Sequence, residues 1–124
     1  MNINEMYWLA GLLEGEGCFT IGNTQSPMIS LGMNDKDIIE HAANLLGNLN
    51  IEEKTTSSGH TRYRISLNGK DAVSAMIALK PLMGERRQQR ILEVLHITEG
   101  RPRSVPRNII FPELESRELS REGE

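Results

Sequence analysis

Apolar residues occur along this chain at two different spacings, and each spacing predicts one kind of secondary structure. A spacing of three and four residues is typical of an amphipathic helix, and it predicts helices over residues 4–14, 34–46, 68–79 and 85–98. Alternating apolar and polar residues, or short β-prone runs, indicate half-buried strands, and we predict strands over residues 18–21, 28–33, 50–56 and 61–67. The predicted order is therefore helix, two strands, helix, two strands, helix, followed by one more helix.

The residues between these segments agree with that order. Asn4, Asn34 and Asn68 precede the first three helices, where an asparagine side chain can cap backbone N–H groups. Pro81 interrupts the chain before the fourth helix, and Gly100 follows that helix, as glycine often does at a helix end. We predict an α+β fold of the form αββαββα, with one four-stranded antiparallel sheet, helices on one face of it and the other face open to a partner.

Length and composition describe one compact domain with a tail. The 124 residues are 38% hydrophobic and 25% charged, which is ordinary for a soluble globular protein. We predict a single domain over residues 1–100, an extended linker from residue 101 and an acidic tail to residue 124 with a short, weakly docked helix over residues 113–122. There is no apolar run near the roughly 20 residues of a membrane span, no secretion signal is evident, and a single cysteine excludes an internal disulfide. These features favour the cytoplasm of a prokaryotic or phage-like source, with an organelle as the alternative.

Charge is distributed unevenly along the chain. The net charge of −3 alone would argue against a nucleic-acid partner. Residues 1–53 carry eight acids and one base, a balance of −7, whereas residues 54–107 carry eleven bases and four acids, a balance of +7. A phosphate-binding surface needs only a local positive potential. The middle of the chain can therefore supply one whatever the total charge.

The predicted fourth strand has one polar and one apolar face. Arg62, Arg64 and Ser66 alternate with Tyr63, Ile65 and Leu67, so the two sets point to opposite sides of the sheet. The polar face could simply be solvated. We favour a DNA-contacting surface because three further polar residues of the predicted strands are expected on the same face: Thr20, Ser30 and Lys54.

The end of the first helix carries the candidate chemistry. Glycine inside a helix costs about 1 kcal/mol relative to alanine. The usual explanation for a glycine such as Gly11 is that Ala10 and Gly11 let another helix pack closely. Glu14 and Glu16 follow, where helix carbonyls lack partners and the helix dipole is negative. Carboxylates beside exposed carbonyls suit Mg²⁺ or Ca²⁺. We therefore expect a metal here, although a buried small-residue helix with two exposed glutamates would have the same sequence.

The stretch from Tyr7 to Ile21, Tyr-Trp-Leu-Ala-Gly-Leu-Leu-Glu-Gly-Glu-Gly-Cys-Phe-Thr-Ile, resembles the signature of the LAGLIDADG homing endonucleases. Met33-Asn-Asp-Lys-Asp is similar to the segment that enters the family's second helix. The run from Pro81 to Arg90 is similar to the entry to its last core helix. Together these stretches span about residues 6–98. One copy of the motif implies the homodimeric type of the family, whose signature helices form the dimer interface.

The resemblance also implies roles for individual residues. Glu16 stands where the family has the acid that binds the catalytic metal, and Gly15 stands where a backbone carbonyl binds it. Arg86 replaces a lysine that many members place near the scissile phosphate; arginine can stabilise phosphate charge, but it is a poor proton donor or acceptor. The expected dimer interface comprises Trp8, Ala10, Gly11, Leu12 and Gly15.

The resulting hypothesis is a site-specific endonuclease, active in intron homing. A homodimer would hydrolyse double-stranded DNA at a long, near-palindromic site, with Mg²⁺ as cofactor, Ca²⁺ able to replace it for binding, and no small-molecule cofactor or membrane. Two alternatives stay open. One is a non-cleaving protein of the same fold, either a DNA-binding regulator or a splicing cofactor that binds intron RNA. The other is a purely structural dimer.

Overall fold

The elements of the chain follow one another in the predicted order over residues 1–99 and 109–114, which are the residues that this computed structural model describes. The elements are α1 (Ile3–Glu16), β1 (Gly17–Ile21), β2 (Pro27–Met33), α2 (Lys36–Leu45), β3 (Glu52–Thr55), β4 (Thr61–Asn68), α3 (Gly69–Leu79), a 3-10 turn (Lys80–Leu82) and α4 (Glu85–Ile97). The predicted α+β fold is confirmed.

The four strands form one antiparallel sheet in the order β1-β2-β4-β3. Side chains alternate between its two faces, and those of one face are almost fully buried at Phe19, Ile29, Leu31, Ile65 and Leu67, each at most 2% exposed. The inward positions predicted for Ile65 and Leu67 of β4 are therefore confirmed. Because β1 and β3 lie at the two edges, α1 leads directly into an edge strand.

The helices cover the buried face of this sheet and complete the core. Each contributes side chains with no solvent exposure: Leu9 and Leu13 from α1, Ile39 from α2, Met76 and Leu79 from α3, and Ile91 and Val94 from α4. Burying an aliphatic side chain of this size stabilises the fold by roughly 1.5–3 kcal/mol. The opposite face of the sheet carries no helix among the described residues.

Two predicted helix caps were wrong. The cap of α1 is Asn2 rather than Asn4: its side chain accepts a hydrogen bond from the Glu5 N–H, and the Glu5 carboxylate accepts one from the Asn2 N–H, both at 2.8 Å. This reciprocal arrangement satisfies two backbone donors at once. In α2 the cap position is Asp35 rather than Asn34, without a side-chain hydrogen bond.

The end of α1 also differs from the prediction. The helix runs two residues past Glu14 to Glu16, and Gly17 is at once its C-cap and the first residue of β1. A Cβ at Gly17 would lie 2.7–2.9 Å from three atoms of Leu13, two of them backbone. Only glycine lets the strand leave the helix at this angle.

Part of the predicted tail lies against the domain. Ile109, Phe111 and Leu114 are partly buried against the core, and residues 109–114 are not helical. The predicted linker at 101–106 and the remainder of the helix predicted to residue 122 lie outside the described residues. Within the described part of the chain, no helix has the length and hydropathy that crossing a membrane requires.

Candidate metal centre and nucleic-acid interface

Glu16 is the last residue of α1, and its carboxylate is free. The residue is exposed, and it has no hydrogen bond or ion pair to any described residue. Gly15, also exposed, precedes it. The last carbonyls of a helix have no partner within the helix and carry its negative partial charge. The end of α1 is thus a surface rich in oxygen ligands with one uncommitted carboxylate.

Glu14 differs from Glu16 in that its carboxylate has partners at the start of α4. The Gly84 N–H, at the start of α4, donates a hydrogen bond of 2.5 Å to Oε1 of Glu14. Nε of Arg87 lies 3.4 Å from the other carboxylate oxygen. A basic residue distant in sequence therefore offsets the charge of Glu14.

The ligands available at this end suit a hard divalent cation, but one chain supplies few of them. Mg²⁺ and Ca²⁺ bind oxygen atoms, and Glu16 with the carbonyl of Gly15 offers oxygen only. Over residues 1–99 and 109–114 there is no group of three or more histidine, cysteine, aspartate or glutamate side chains that could hold a metal. The residues present fit such an ion if further ligands come from outside the chain.

The open face of the sheet brings together all six residues that were predicted to contact DNA. The register pairs Ser30 with Ser66, Lys54 with Arg62, and Arg64 with Gly32 and Glu52. Thr20 pairs with Met28, which pairs with Asn68. Directly paired side chains in a sheet are about 5 Å apart. The cations Lys54, Arg62 and Arg64 are therefore gathered on the β3–β4 half of this face.

Arg62 lies across the face rather than projecting from it. Its Nη2 donates a hydrogen bond of 2.9 Å to the carbonyl of Gly32. A Cβ at Gly32 would lie 3.2 Å from two guanidinium nitrogens of Arg62, so the missing side chain makes room for this arrangement. Arg64 has no hydrogen bond or ion pair among the described residues and is exposed.

Other residues of the open face were not singled out from the sequence. Asn68, Met28 and Glu52 join Arg64 and Ser66 around a depression of about 860 Å³ beside the β1–β2 turn. Cys18, which pairs with Ser30, is exposed on the same face. The alternation that identified Arg62, Arg64 and Ser66 continues to Asn68, and this signal was available. Glu52 is two residues from Lys54 in the third strand, so the same alternation also placed it on this face.

The three arginines of α4 have different environments. Arg87 and Arg90 donate hydrogen bonds to the carbonyls of Gly17 and Phe19 on the edge strand β1, that of Arg90 at 3.0 Å. Arg86 is exposed and has no hydrogen bond or ion pair among the described residues. It lines, with Cys18, a depression of about 820 Å³ between α4 and β1. Of the three, Arg86 is the one whose guanidinium is free to bind a phosphate.

The side of α1 that faces away from the core is apolar, like the side that is buried. Trp8, Gly11, Leu12 and Gly15 have the spacing of one helix face, and all are exposed or half-buried. The ring of Trp8 lies against His41 of α2, with centroids 4.4 Å apart. Ala10 is different: it is 4% exposed and packs in the core of its own subunit. Of the five residues expected in the dimer interface, Trp8, Gly11, Leu12 and Gly15 therefore lie on the outward face of α1, and Ala10 does not.

Comparison with known proteins identifies the family. The model of the LAGLIDADG-like domain matches residues 4–78, more than half of the chain, and the chain belongs to this family. The fold is shared with the group I intron-encoded homing endonuclease I-CeuI complexed with DNA, with a TM-score of 0.60 and 12% identity over 79% of this chain. The chain spans 55% of the I-CeuI chain.

A second solved structure has the same fold and aligns with 99% of this chain. It is the homing endonuclease I-CvuI in complex with the I-CreI target, with a TM-score of 0.52, 14% identity, and 99% of each chain covered. At these identities the likeness establishes the fold. The curated proteins contain no significant match.

Proposed function

We propose that this chain is one subunit of a homodimeric, divalent-metal-dependent endonuclease that hydrolyses one phosphodiester in each strand of a near-palindromic DNA site. The observation that carries the proposal is the position of Glu16. Its free carboxylate ends α1, and the next residue begins β1 of the open polar face. A metal ligand and a surface suited to a phosphate backbone are therefore adjacent in the chain.

The dimer is proposed from the composition of α1. Residues 6–13, Met-Tyr-Trp-Leu-Ala-Gly-Leu-Leu, contain no charged side chain, and a helix that is apolar all round is normally covered on all sides. Its own subunit covers only the side with Leu9 and Leu13. Gly11 and Gly15 have open space where a Cβ would be, so nothing within the subunit requires glycine. A second copy of α1, packed closely at these glycines, would cover the exposed apolar side of the helix and would explain why glycine is needed at both positions.

The β3–β4 end of the sheet has the shape of a groove-binding element. All four residues of β3 are exposed, so β3 and the start of β4 form a two-stranded ribbon at the edge of the sheet. The major groove of DNA is about 12 Å wide and admits such a ribbon. Lys54, Arg62 and Arg64 would contact phosphates or guanine edges there, while Thr20, Ser30 and Ser66 would lie nearer the dimer axis. The structures of I-CeuI and I-CvuI are DNA complexes, which supports DNA as the partner.

The hydrolytic site would be assembled from both chains and the DNA. Glu16 and the carbonyl of Gly15 would hold Mg²⁺, with phosphate oxygens and the second subunit providing the ligands that one chain lacks. When bound, such an ion lowers the pKa of its water and offsets charge on the phosphate. The exposed guanidinium of Arg86 would stabilise negative charge on the phosphate without exchanging a proton.

The proposal is tested by selecting cleaved sites. The full chain is incubated with a library of duplexes and Mg²⁺, and the new ends are sequenced. We expect one near-palindromic site with a cut in each strand and short 3′ overhangs. Ca²⁺ in place of Mg²⁺ should support binding with little cutting. If the protein selects a site by binding and never cuts it, the proposed activity is refuted.

A non-cleaving protein on the same fold is the second candidate. It is favoured by the small number of metal ligands among the described residues and by arginine at position 86. Such a protein would regulate a DNA site or support splicing by binding intron RNA. Tight binding of DNA or RNA with no Mg²⁺-dependent cleavage identifies it.

A further inference from the structure

A chain of polar contacts joins the end of α1 to the start of α4. The carboxylate of Glu14 accepts the Gly84 N–H at 2.5 Å and lies 3.4 Å from Nε of Arg87. The same guanidinium donates through Nη1 to the carbonyl of Gly17 and stacks 6.0 Å from the ring centroid of Phe19. One arginine thus contacts the residues two before and one after Glu16.

These contacts hold Gly17 on both sides. Its N–H donates to the carbonyl of Leu13 in the last turn of α1, and its carbonyl accepts from Arg87. A side chain at this position would clash with Leu13, so this close approach depends on glycine. The backbone that follows Glu16 is therefore held by a helix on one side and by a part-buried cation on the other.

Arg87 is suited to this task and unsuited to binding DNA. Its side chain is 16% exposed, against 41% for Arg90, and its Nε is buried without a hydrogen bond, next to the Glu14 carboxylate. A buried guanidinium that already has a carboxylate and a carbonyl as partners has little left to offer a phosphate. Removing it would leave Glu14 without a counter-charge beside Glu16.

We propose that Arg87 is a positioning residue for the metal ligand Glu16, which it orients by clamping the Gly17 carbonyl and by holding Glu14 out of the metal site. The inference rests on the proposed function, because Glu16 needs orienting only if it binds a metal. Side chains that orient a metal ligand typically contribute about 10–100-fold in metal affinity. The clamp itself should exist in the metal-free protein.

The experiment compares Arg87→Met with Arg90→Met in the full chain. Both replace an arginine that binds a β1 carbonyl, but Arg90 has no contact with Glu14, so Arg90→Met is the matched control. The first measurement is hydrogen exchange of the Gly17 amide by NMR without metal. We expect exchange at least about tenfold faster in Arg87→Met, because loss of the charge-assisted hydrogen bond to the Gly17 carbonyl loosens the junction at which the Gly17 N–H donates to Leu13, and unchanged exchange in Arg90→Met.

The second measurement is calorimetric titration of Ca²⁺ into the same proteins bound to a duplex that the parent selects by binding, because phosphate oxygens complete the proposed site. We expect affinity about 10–100-fold lower for Arg87→Met and parental for Arg90→Met. Should Arg87→Met fail to fold, Glu14→Gln replaces it, since it keeps an acceptor for Gly84 and removes only the charge that Arg87 faces. Glu14→Gln, like Arg87→Met, should lower the affinity for Ca²⁺.

The outcomes separate the clamp from the proposed function. Parental Gly17 exchange in a folded Arg87→Met protein overturns the inference, as does faster exchange with parental Ca²⁺ affinity. Equal effects of the two variants on both measurements also overturn it. A parent whose complex with DNA takes up no Ca²⁺, while Arg87→Met still loosens Gly17, supports the clamp and refutes the proposed metal-dependent function instead.

Discussion

Replacing Gly11 with alanine is expected to change the stability of one chain and the association of two chains in opposite directions. In the single chain, no heavy atom lies within 4 Å of an ideal Cβ at this position, and the residue is exposed in the middle of α1. Alanine is favoured over glycine inside a helix by about 1 kcal/mol. An isolated subunit should therefore become more stable, by about 1 kcal/mol or roughly 4 °C in Tm.

In a two-fold dimer packed through α1 the sign is reversed. Each chain then inserts one methyl group into the interface, so the group enters twice. Overpacking costs about 1–3 kcal/mol per site, or about 2–6 kcal/mol for the dimer. The helix-propensity gain is present in the separated chains as well and cancels from the dissociation equilibrium, so the dissociation constant should rise by the full amount of about 2–6 kcal/mol, about 30-fold to more than 10⁴-fold.

Sedimentation from nanomolar to micromolar protein measures the dissociation constant, and urea unfolding at low concentration measures the stability of one chain. Ser74→Ala, at an exposed position of α3, is the control, because it raises helix propensity away from the outward face of α1. A parent that stays monomeric at every concentration, together with a Gly11→Ala protein that is merely more stable, would refute packing of two chains through α1.

Three further changes test other parts of the structure. Gly17→Ala should destabilise the fold by about 2–3 kcal/mol in urea, because the new Cβ would lie within 2.9 Å of Leu13 atoms; parental stability would mean that the α1–β1 junction is looser than described. Arg62→Ala and Arg64→Ala should each reduce the magnitude of the slope of log affinity against log salt by about 0.9 on non-specific duplex. An unchanged slope would show that the substituted arginine does not contact a phosphate. Gly32→Ala should weaken duplex binding less than Arg62→Ala does, at parental stability, because its Cβ only displaces the Arg62 guanidinium; binding as tight as the parent's would show that the position of this guanidinium is unimportant.

Features set by local spacing could be predicted from the sequence. The alternation in residues 61–67 identified which side chains of β4 face the core and which face outward, because a strand has only two faces. The open face followed from the same rule. The cap of α1 was also within reach: Asn2 and Glu5 have the spacing of a reciprocal cap, but the prediction chose Asn4.

Features set by tertiary contacts could not be predicted in this way. Glu14 and its partner Gly84 are 70 residues apart, and no periodicity relates them. The local pattern therefore placed Glu14 and Glu16 together at the end of α1, whereas packing of α4 against β1 gives them different environments. Ala10 was misjudged for a related reason, since both faces of α1 are apolar and only the folded subunit distinguishes the covered face from the open one.

The central claim is that Glu16 holds a catalytic metal, and single-turnover cleavage of the selected DNA site tests it most directly. Glu16→Gln keeps the shape of the side chain and removes its charge. With Mg²⁺ in excess, the account predicts that cleavage by Glu16→Gln falls by at least about 10²-fold, as for loss of one key charge-stabilising group, while the Kd for DNA stays equal or becomes lower. Cleavage at the parental rate by Glu16→Gln would contradict the assignment.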